Sequence, residues 1–255
     1  VTSGDDMTVR IWDATIRKQT GIKLIKNKCH CGTYASDGTQ IALGLVDGKL
    51  IVLTDDLELE IAETTITNDS LTTMAYAPNG LILAIGSNNN NIYLIETRNY
   101  NVQTILRGHT GSIRSLDWSI CSTFIQSCST TTELFYWNVT TCERILLPSL
   151  VRDIQWKNWT SIYGWPVQGI WSNVNTSSHN LIKIDDIQCL DRSIDKKYIT
   201  IADENHKLKL YKYPCLDFVS TNKNGSGGSS ERRWKEYKGH SSQITGIKYH
   251  SNNKW

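Results

Sequence analysis

No apolar run in this 255-residue chain approaches the roughly 20 residues a helix needs to cross a bilayer. Its first residues, Val1-Thr-Ser-Gly-Asp-Asp6, lack the basic and apolar regions of a secretory signal, so a soluble, cytoplasmic chain is expected. Charge of one sign is missing as well. With 27 basic and 25 acidic residues the net charge is +2, too weak a field to hold a polyanion, and neither nucleic acid nor membrane is expected as a partner. The seven cysteines, an odd number, are scattered without a paired framework, which favours reduced thiols over disulfide staples. Chemistry-bearing motifs are equally scarce. There is no Gly-x-x-x-x-Gly-Lys-Ser/Thr loop to cradle a phosphate and no Gly-x-Ser-x-Gly elbow to raise a nucleophile. Cys29-His30-Cys31 is the one metal-like cluster, but tetrahedral zinc wants four such ligands and no second pair follows at finger spacing. On a strand Cys29 and Cys31 would share a face as ordinary buried thiols. No enzyme activity, metal or cofactor is therefore expected.

What the chain has is a period. Tyr34, Tyr76 and Trp118 fall 42 residues apart, and Leu53, Ile95 and Trp137 keep the same step. Gly44, Gly86 and Cys128 share the phase, as do the turn pairs Asp37-Gly38 and Asn79-Gly80. A repeat of about 40 to 45 residues rich in short strands is the signature of a propeller blade. In the clearest copy, 71–76 reads as the innermost strand, 77–80 as a turn, 81–86 as the second strand, 91–95 as the third and 102–106 as the outer one. The runs at 40–45 and 81–86 are almost continuously apolar, as expected of strands covered on both faces. The strands at 8–12 and 207–211 alternate instead, which predicts one face in water.

The fold class is thus all-β, a β-propeller of four-stranded blades with about five repeats visible. A partial blade is expected over 1–22, blades over about 23–66, 67–107 and 108–150, an aromatic insertion over 151–182, a blade over 183–238 and a partial blade over 239–255. The insertion holds Trp156, Trp159, Trp165 and Trp171, too aromatic for a solvated loop, and is expected to pack on the propeller and extend a blade edge. The Gly/Ser-rich stretch within 220–230 predicts a flexible excursion. Val1 falls in phase with Ala42 and Trp255 with Gln40, so the ends lie in the same strand of the unit. Either two half-blades join to close a small ring, or the chain is an arc of a larger propeller; five blades would be few in the usual 4-to-8 range, which favours the arc.

Gly108-His109, Thr8-Val-Arg-Ile-Trp-Asp13 and Gly239-His240 resemble the Gly-His and Trp-Asp signatures of WD-repeat propellers. A narrower resemblance is carried by Val151-Arg-Asp-Ile-Gln-Trp156, Gly164-Trp-Pro-Val-Gln-Gly-Ile-Trp171, Ala202 to Cys215 with its Tyr-Pro-Cys ending, and Gly239-His-Ser-Ser-Gln-Ile-Thr245. Together these look like the carboxy-terminal propeller of the echinoderm microtubule-associated-protein-like family. The resemblance implies a non-catalytic, tubulin-associated scaffold of tandem propellers, with tubulin or a neighbouring propeller of the same chain as partner.

In a full WD repeat a loop histidine, a strand serine or threonine, a turn aspartate and a tryptophan form a buried hydrogen-bond network. Asp6, Trp12, Asp47, His109, Trp137 and His240 are the candidates here. Asp6 and Asp47 stand six residues before Trp12 and Leu53, whereas Asn89, Thr131 and Asn205 fill the matching positions. His109 and Trp137 therefore have Thr131 where the acid should be. For a partner surface, Arg107, Thr110, Arg232, Arg233, Trp234, Lys235 and Lys238 combine cations with an aromatic that could meet an acidic surface. The competing reading of 231–238 is an outer strand that carries lysine to discourage unwanted pairing. The loops at 107–112 and 238–242 and the turns at Asp47 and 88–91 are the expected presenting elements. A complex-assembly subunit unrelated to microtubules is the alternative, and an enzyme working in the central channel a weaker one.

Overall fold

The computed structural model describes residues 1–13, 15–170, 187–203, 205–216 and 234–249. They form two compact units, 1–157 and 158–255. Among the described residues nineteen strands and two short 3-10 turns are found, so the chain is all-β as its period predicts.

The first unit contains four antiparallel sheets. The first has three strands, β1 (Thr2–Ser3), β2 (Thr8–Asp13) and β3 (Lys18–Leu24). The next three are four-stranded meanders. They comprise β4 (Cys29–Tyr34) to β7 (Glu60–Thr65) through β5 (Gln40–Leu45) and β6 (Lys49–Thr54); β8 (Leu71–Tyr76) to β11 (Val102–Leu106) through β9 (Ile82–Ser87) and β10 (Ile92–Glu96); and β12 (Ile113–Trp118) to β15 (Glu143–Ile145) through β13 (Phe124–Ser129) and β14 (Leu134–Asn138). The initial strand β8 lies against both β4 and β12, so neighbouring sheets meet along their first strands as propeller blades do.

Burial explains the apolar runs. Ile41 to Leu45 in β5 and Leu83 to Ile85 in β9 are almost wholly buried because each middle strand is covered by sheets on both sides. One cluster between the second and third sheets joins Ala42, Leu50 and Val52 to Leu71, Ile85 and Tyr93. Another, between the third and fourth, joins Ala84, Ile92 and Leu94 to Ile113, Trp118 and Trp137. At about 25 cal/mol per Å² of apolar surface, these inter-sheet layers are the main stabilising term.

Each four-stranded sheet carries a register shift at the start of its first strand, between Cys29 and Cys31, Leu71 and Thr73, Ile113 and Ser115, and Ile187 and Cys189. This recurring bulge overturns one expectation. The extra residue breaks the two-residue alternation, so Cys29 packs on the cluster with Val9 and Ile41 while Cys31 packs on the one with Leu71 and Met74. The two thiols therefore face different layers. Burial raises the pKa of both, which leaves them protonated.

The turns repeat as well. Gly38, Gly80, Ser122 and Lys196 occupy one turn position at φ of 76°, 73°, 60° and 56°. A second position is held by Gly48, Asn90, Thr132 and His206, at φ of 79°, 68°, 66° and 63°. Only Gly48 is sterically obligatory among these eight, since a Cβ there would lie 2.1 Å from the Thr67 carbonyl oxygen.

The aromatic segment spans both units. In the first, Ile120 donates its N–H to the Gln155 carbonyl at 2.8 Å and Lys157 to that of Trp118 at 2.8 Å, which adds residues 155–157 beside the end of β12 and buries Trp156. In the second, Trp159 is buried with its indole N–H on the Ser161 carbonyl at 2.9 Å, and the 3-10 turn Trp165–Ile170 is clamped by two backbone bonds of 2.7 Å between Gly169, Cys215 and Pro166. Trp171 and the Gly/Ser-rich 220–230 lie outside the described residues.

The second unit also contains a four-stranded sheet, β16 (Ile187–Arg192), β17 (Tyr198–Asp203), β18 (Lys207–Lys212) and β19 (Trp234–Lys238). In β18 the expected alternation buries the face that carries Lys209. Lys209 and Tyr211 are the buried residues, because the Lys209 ammonium meets the buried Asp203 carboxylate at 2.8 Å, whereas Leu208 and Leu210 are only half-buried.

Candidate protein-interaction surface

The loop before β12 is fixed from its histidine. Trp137, on β14, can only donate, and its indole N–H reaches Ser127 Oγ on β13 at 2.8 Å. At the other end of the chain ionised Glu133 can only accept, so Nδ1–H of His109 donates to its Oε2 at 3.0 Å, and Nε2 is left to accept the Ser127 hydroxyl proton at 2.7 Å. Burial, together with the Arg144 guanidinium, lowers the His109 pKa despite Glu133, so the ring is neutral at pH 7. Phe135 stacks on His109 at 4.3 Å between centroids, and Arg144 lies 3.4 Å over Phe135.

Glu133 is the residue sequence reasoning missed. It takes up the work assigned to an acid at position 131 from two residues further on, at the turn that opens β14. Besides His109 it accepts from the Thr110 N–H at 3.0 Å, Thr110 Oγ1 at 2.9 Å and Ser129 Oγ at 2.9 Å. Burial alone would raise its pKa; these bonds, led by the Thr110 N–H, override that and hold it at about 2. Thr131 is not idle, since its hydroxyl lies 3.1 Å from that of Thr110 and 2.9 Å from that of Ser129. The signal available in sequence was an acid near the turn before a tryptophan, read with too rigid a spacing.

The sheet before it solves the same problem with other groups. Thr67, Asn89 and Tyr93 stand one period before His109, Thr131 and Phe135, and the Asn89 amide N–H₂ donates to Thr67 Oγ1 at 2.8 Å and to the Tyr93 hydroxyl at 2.7 Å. These networks join neighbouring loops. Ile66 N–H donates to the Gly48 carbonyl at 3.0 Å, Asn89 holds Thr67, and the Asn90 side-chain N–H₂ reaches the Thr110 carbonyl at 3.2 Å. A continuous ridge results, running through Asp47-Gly48, 66–67, 88–91 and 107–112, with Arg107 and Thr110 exposed on it.

Asp47 accepts the Lys49 N–H at 3.4 Å within its turn. Asp6 and Trp12 are not brought into one network. Asp6 accepts from Thr8 and pairs with Arg10 at 2.5 Å, bonds that lower its pKa to about 2, while the half-exposed Trp12 donates to Thr2 Oγ1 at 2.7 Å. His240 is exposed in the segment after β19 and forms no hydrogen bond among the described residues.

On β19, Trp234 turns its ring toward Tyr211, 5.7 Å between centroids, and Lys238 shares Glu236 with Lys207 at 3.5 and 3.2 Å. Lys235 is exposed. Arg232 and Arg233 lie outside the described residues, so of the run 231–238 the described part is a paired outer strand.

Comparison with known proteins accords with this architecture. The family model for the echinoderm microtubule-associated protein second β-propeller matches residues 1–255. Echinoderm microtubule-associated protein-like 1 of Rattus norvegicus is 28% identical over 253 residues, covering 98% of this chain and 29% of the relative. The 77 kDa echinoderm microtubule-associated protein of Strongylocentrotus purpuratus is 28% identical, covering 98% and 34%, and echinoderm microtubule-associated protein-like 4 of Xenopus laevis is 30% identical, covering 99% and 26%. The chain thus spans about a third or less of the length of these curated relatives. Among solved structures, a chain in the crystal structure of a mitotic checkpoint complex aligns with a TM-score of 0.53 at 14% identity, covering 94% of this chain and 61% of that one, a likeness of fold alone. With a family model matched from its first residue to its last and relatives aligned over nearly its whole length, this chain belongs to the echinoderm microtubule-associated protein family, to whose second propeller it corresponds.

Proposed function

We propose that this domain is a non-catalytic, cytoplasmic scaffold of the cytoskeleton that presents loops to tubulin or to a neighbouring propeller of the same chain. The observation that carries this reading is the ridge from Asp47 to Ser112, whose loops are tied to one another by backbone and side-chain bonds. Loops held in this way lose little conformational entropy on binding, which favours a fixed partner surface. The names of the relatives, all microtubule-associated, point to tubulin as the partner class.

Ser127, His109 and Glu133 have the spacing of a serine-hydrolase triad, and their surroundings argue against that use. Ser127 is wholly buried and its oxygen already accepts the Trp137 indole, so no substrate carbonyl can reach it. The arrangement works as a structural clamp.

Pull-down of purified tubulin by the chain tests the reading, with Arg107→Glu as the surface variant. Tubulin is expected to be retained by the wild type and at least severalfold less by the variant. Failure of the wild type to retain tubulin would remove the cytoskeletal partner, and equal retention by the variant would remove the ridge as the contact.

A further inference from the structure

A second surface lies among different turns. Between the second and third sheets, the β4–β5, β8–β9 and β10–β11 turns enclose an open cleft of about 440 Å³, lined by Asp37, Gln40, Tyr76, Pro78, Asn79 and Tyr100 among others. The volume exceeds that of any single side chain, and the hydroxyls inside are ordered.

The phenols form a directed chain. Tyr100 donates its only hydroxyl proton to Gln40 Oε1, so the Tyr76 hydroxyl, 3.4 Å from that of Tyr100, is the donor of their contact. The Tyr76 oxygen is then left with acceptor capacity and no proton to offer. Burial raises the pKa of both phenols and the Asp37 carboxylate raises it further, so they stay protonated and the acid acts on them directly. Asp37 itself is exposed and held in the ionised form by the Thr39 N–H at 3.1 Å.

Comparison of the equivalent turns isolates Asp37. Its position is filled by Asn79, Cys121 and Asp195 in the other four-stranded sheets. Of the two acids, Asp195 has the Lys197 ammonium at 3.8 Å, whereas Asp37 enters no ion pair among the described residues. An ionised carboxylate, acceptor oxygens and tyrosines around one concave space match a cation with several N–H donors better than a neutral or anionic group.

We propose that this cleft receives an arginine side chain of a protein partner, its guanidinium paired with Asp37 and its stem lying along Pro78 and the tyrosines. The assignment deepens the scaffold reading by adding a contact of stated chemistry away from the ridge, and it does not require that the partner be tubulin.

Backbone amide spectra of the labelled chain, titrated with Nα-acetyl-argininamide, supply the test. A probe of this size should bind with a Kd on the order of 1 mM, shifting the amides of Gly38, Asn79 and Gly80. The citrulline analogue, which is equally large and uncharged, should shift them at least tenfold less. Asp37→Asn should abolish saturation while leaving the rest of the spectrum in place, since Asn79 forms the same turn in the next sheet through its own Oδ1 to the Leu81 N–H at 3.1 Å. Asp195→Asn should change nothing. Equal shifts from citrulline, no shift from the arginine probe, or full binding by Asp37→Asn would each overturn the proposal. None of these outcomes bears on tubulin retention, so the two readings fail separately.

Discussion

The third and fourth sheets of the first unit place corresponding residues 42 positions apart and tie their loops with unlike chemistry. In the third sheet Thr67, Asn89 and Tyr93 form a neutral cluster; in the fourth His109, Ser127, Trp137 and Glu133 form a chain of donors that ends on a carboxylate. Ile95 stands where the second sheet of the pair has Trp137, so the third has no indole proton to place and needs no serine to receive it. The difference teaches that the repeat preserves a task, fixing the loop that precedes a first strand against the turn before the third, rather than a set of residues.

That comparison can be broken in order of effect. Trp137→Ala removes a fully buried indole and strands Ser127, and should cost about 3–5 kcal/mol of unfolding free energy measured by urea titration, more than any truncation in the neutral cluster. His109→Ala leaves Ser127 and Glu133 without their shared partner and should cost about 2–3 kcal/mol, against about 1 kcal/mol for Thr67→Ala. Equal losses for these two would mean that the charged chain is no more demanding than the neutral cluster.

Acid should separate the two sheets as well. Glu133 has a folded pKa of about 2, below its ordinary 4.5, so its contribution is complete above about pH 4.5 and lost as pH falls toward 2. His109 is also lowered, from 6.5, so the unfolded chain takes up the proton first and stability declines as pH drops below about 6.5. Both act in the same direction, and the neutral cluster adds neither. A pH series of unfolding midpoints should therefore fall from about pH 6.5 downward in the wild type and flatten in the upper part of that range when His109 is replaced by Gln. The smallest effect is expected from Asp6→Asn, an exposed turn acid outside any buried network, which should leave stability unchanged.

The sequence made the sheets legible because burial on both faces leaves an unbroken apolar run, as in β5 and β9, and because the aromatic ladder recurs in step. It was less informative where a local irregularity resets the count. The bulge at His30 sends Cys29 and Cys31 into different layers, and no residue type announces it. In β18, the buried Asp203–Lys209 pair puts the face of Lys209 inside, since a paired charge can be interior. Glu133 was overlooked for a related reason. A carboxylate on a turn can reach the same histidine from more than one position, so a fixed spacing of six residues before the tryptophan is narrower than the geometry requires. A sharper check follows: Thr131→Asp placed in the Glu133→Ala background should recover part of the lost stability if position is interchangeable and charge is not.

The most direct measurement of the account is amide hydrogen exchange at Thr110. Its side chain is exposed on the ridge, yet its N–H is held by Glu133, so exchange should be slow in the wild type and accelerate at least tenfold in Glu133→Ala with the β12 and β13 amides still protected. Fast exchange at Thr110 in the wild type would show that the loop is not fixed, and the rigid presenting surface would have to be given up.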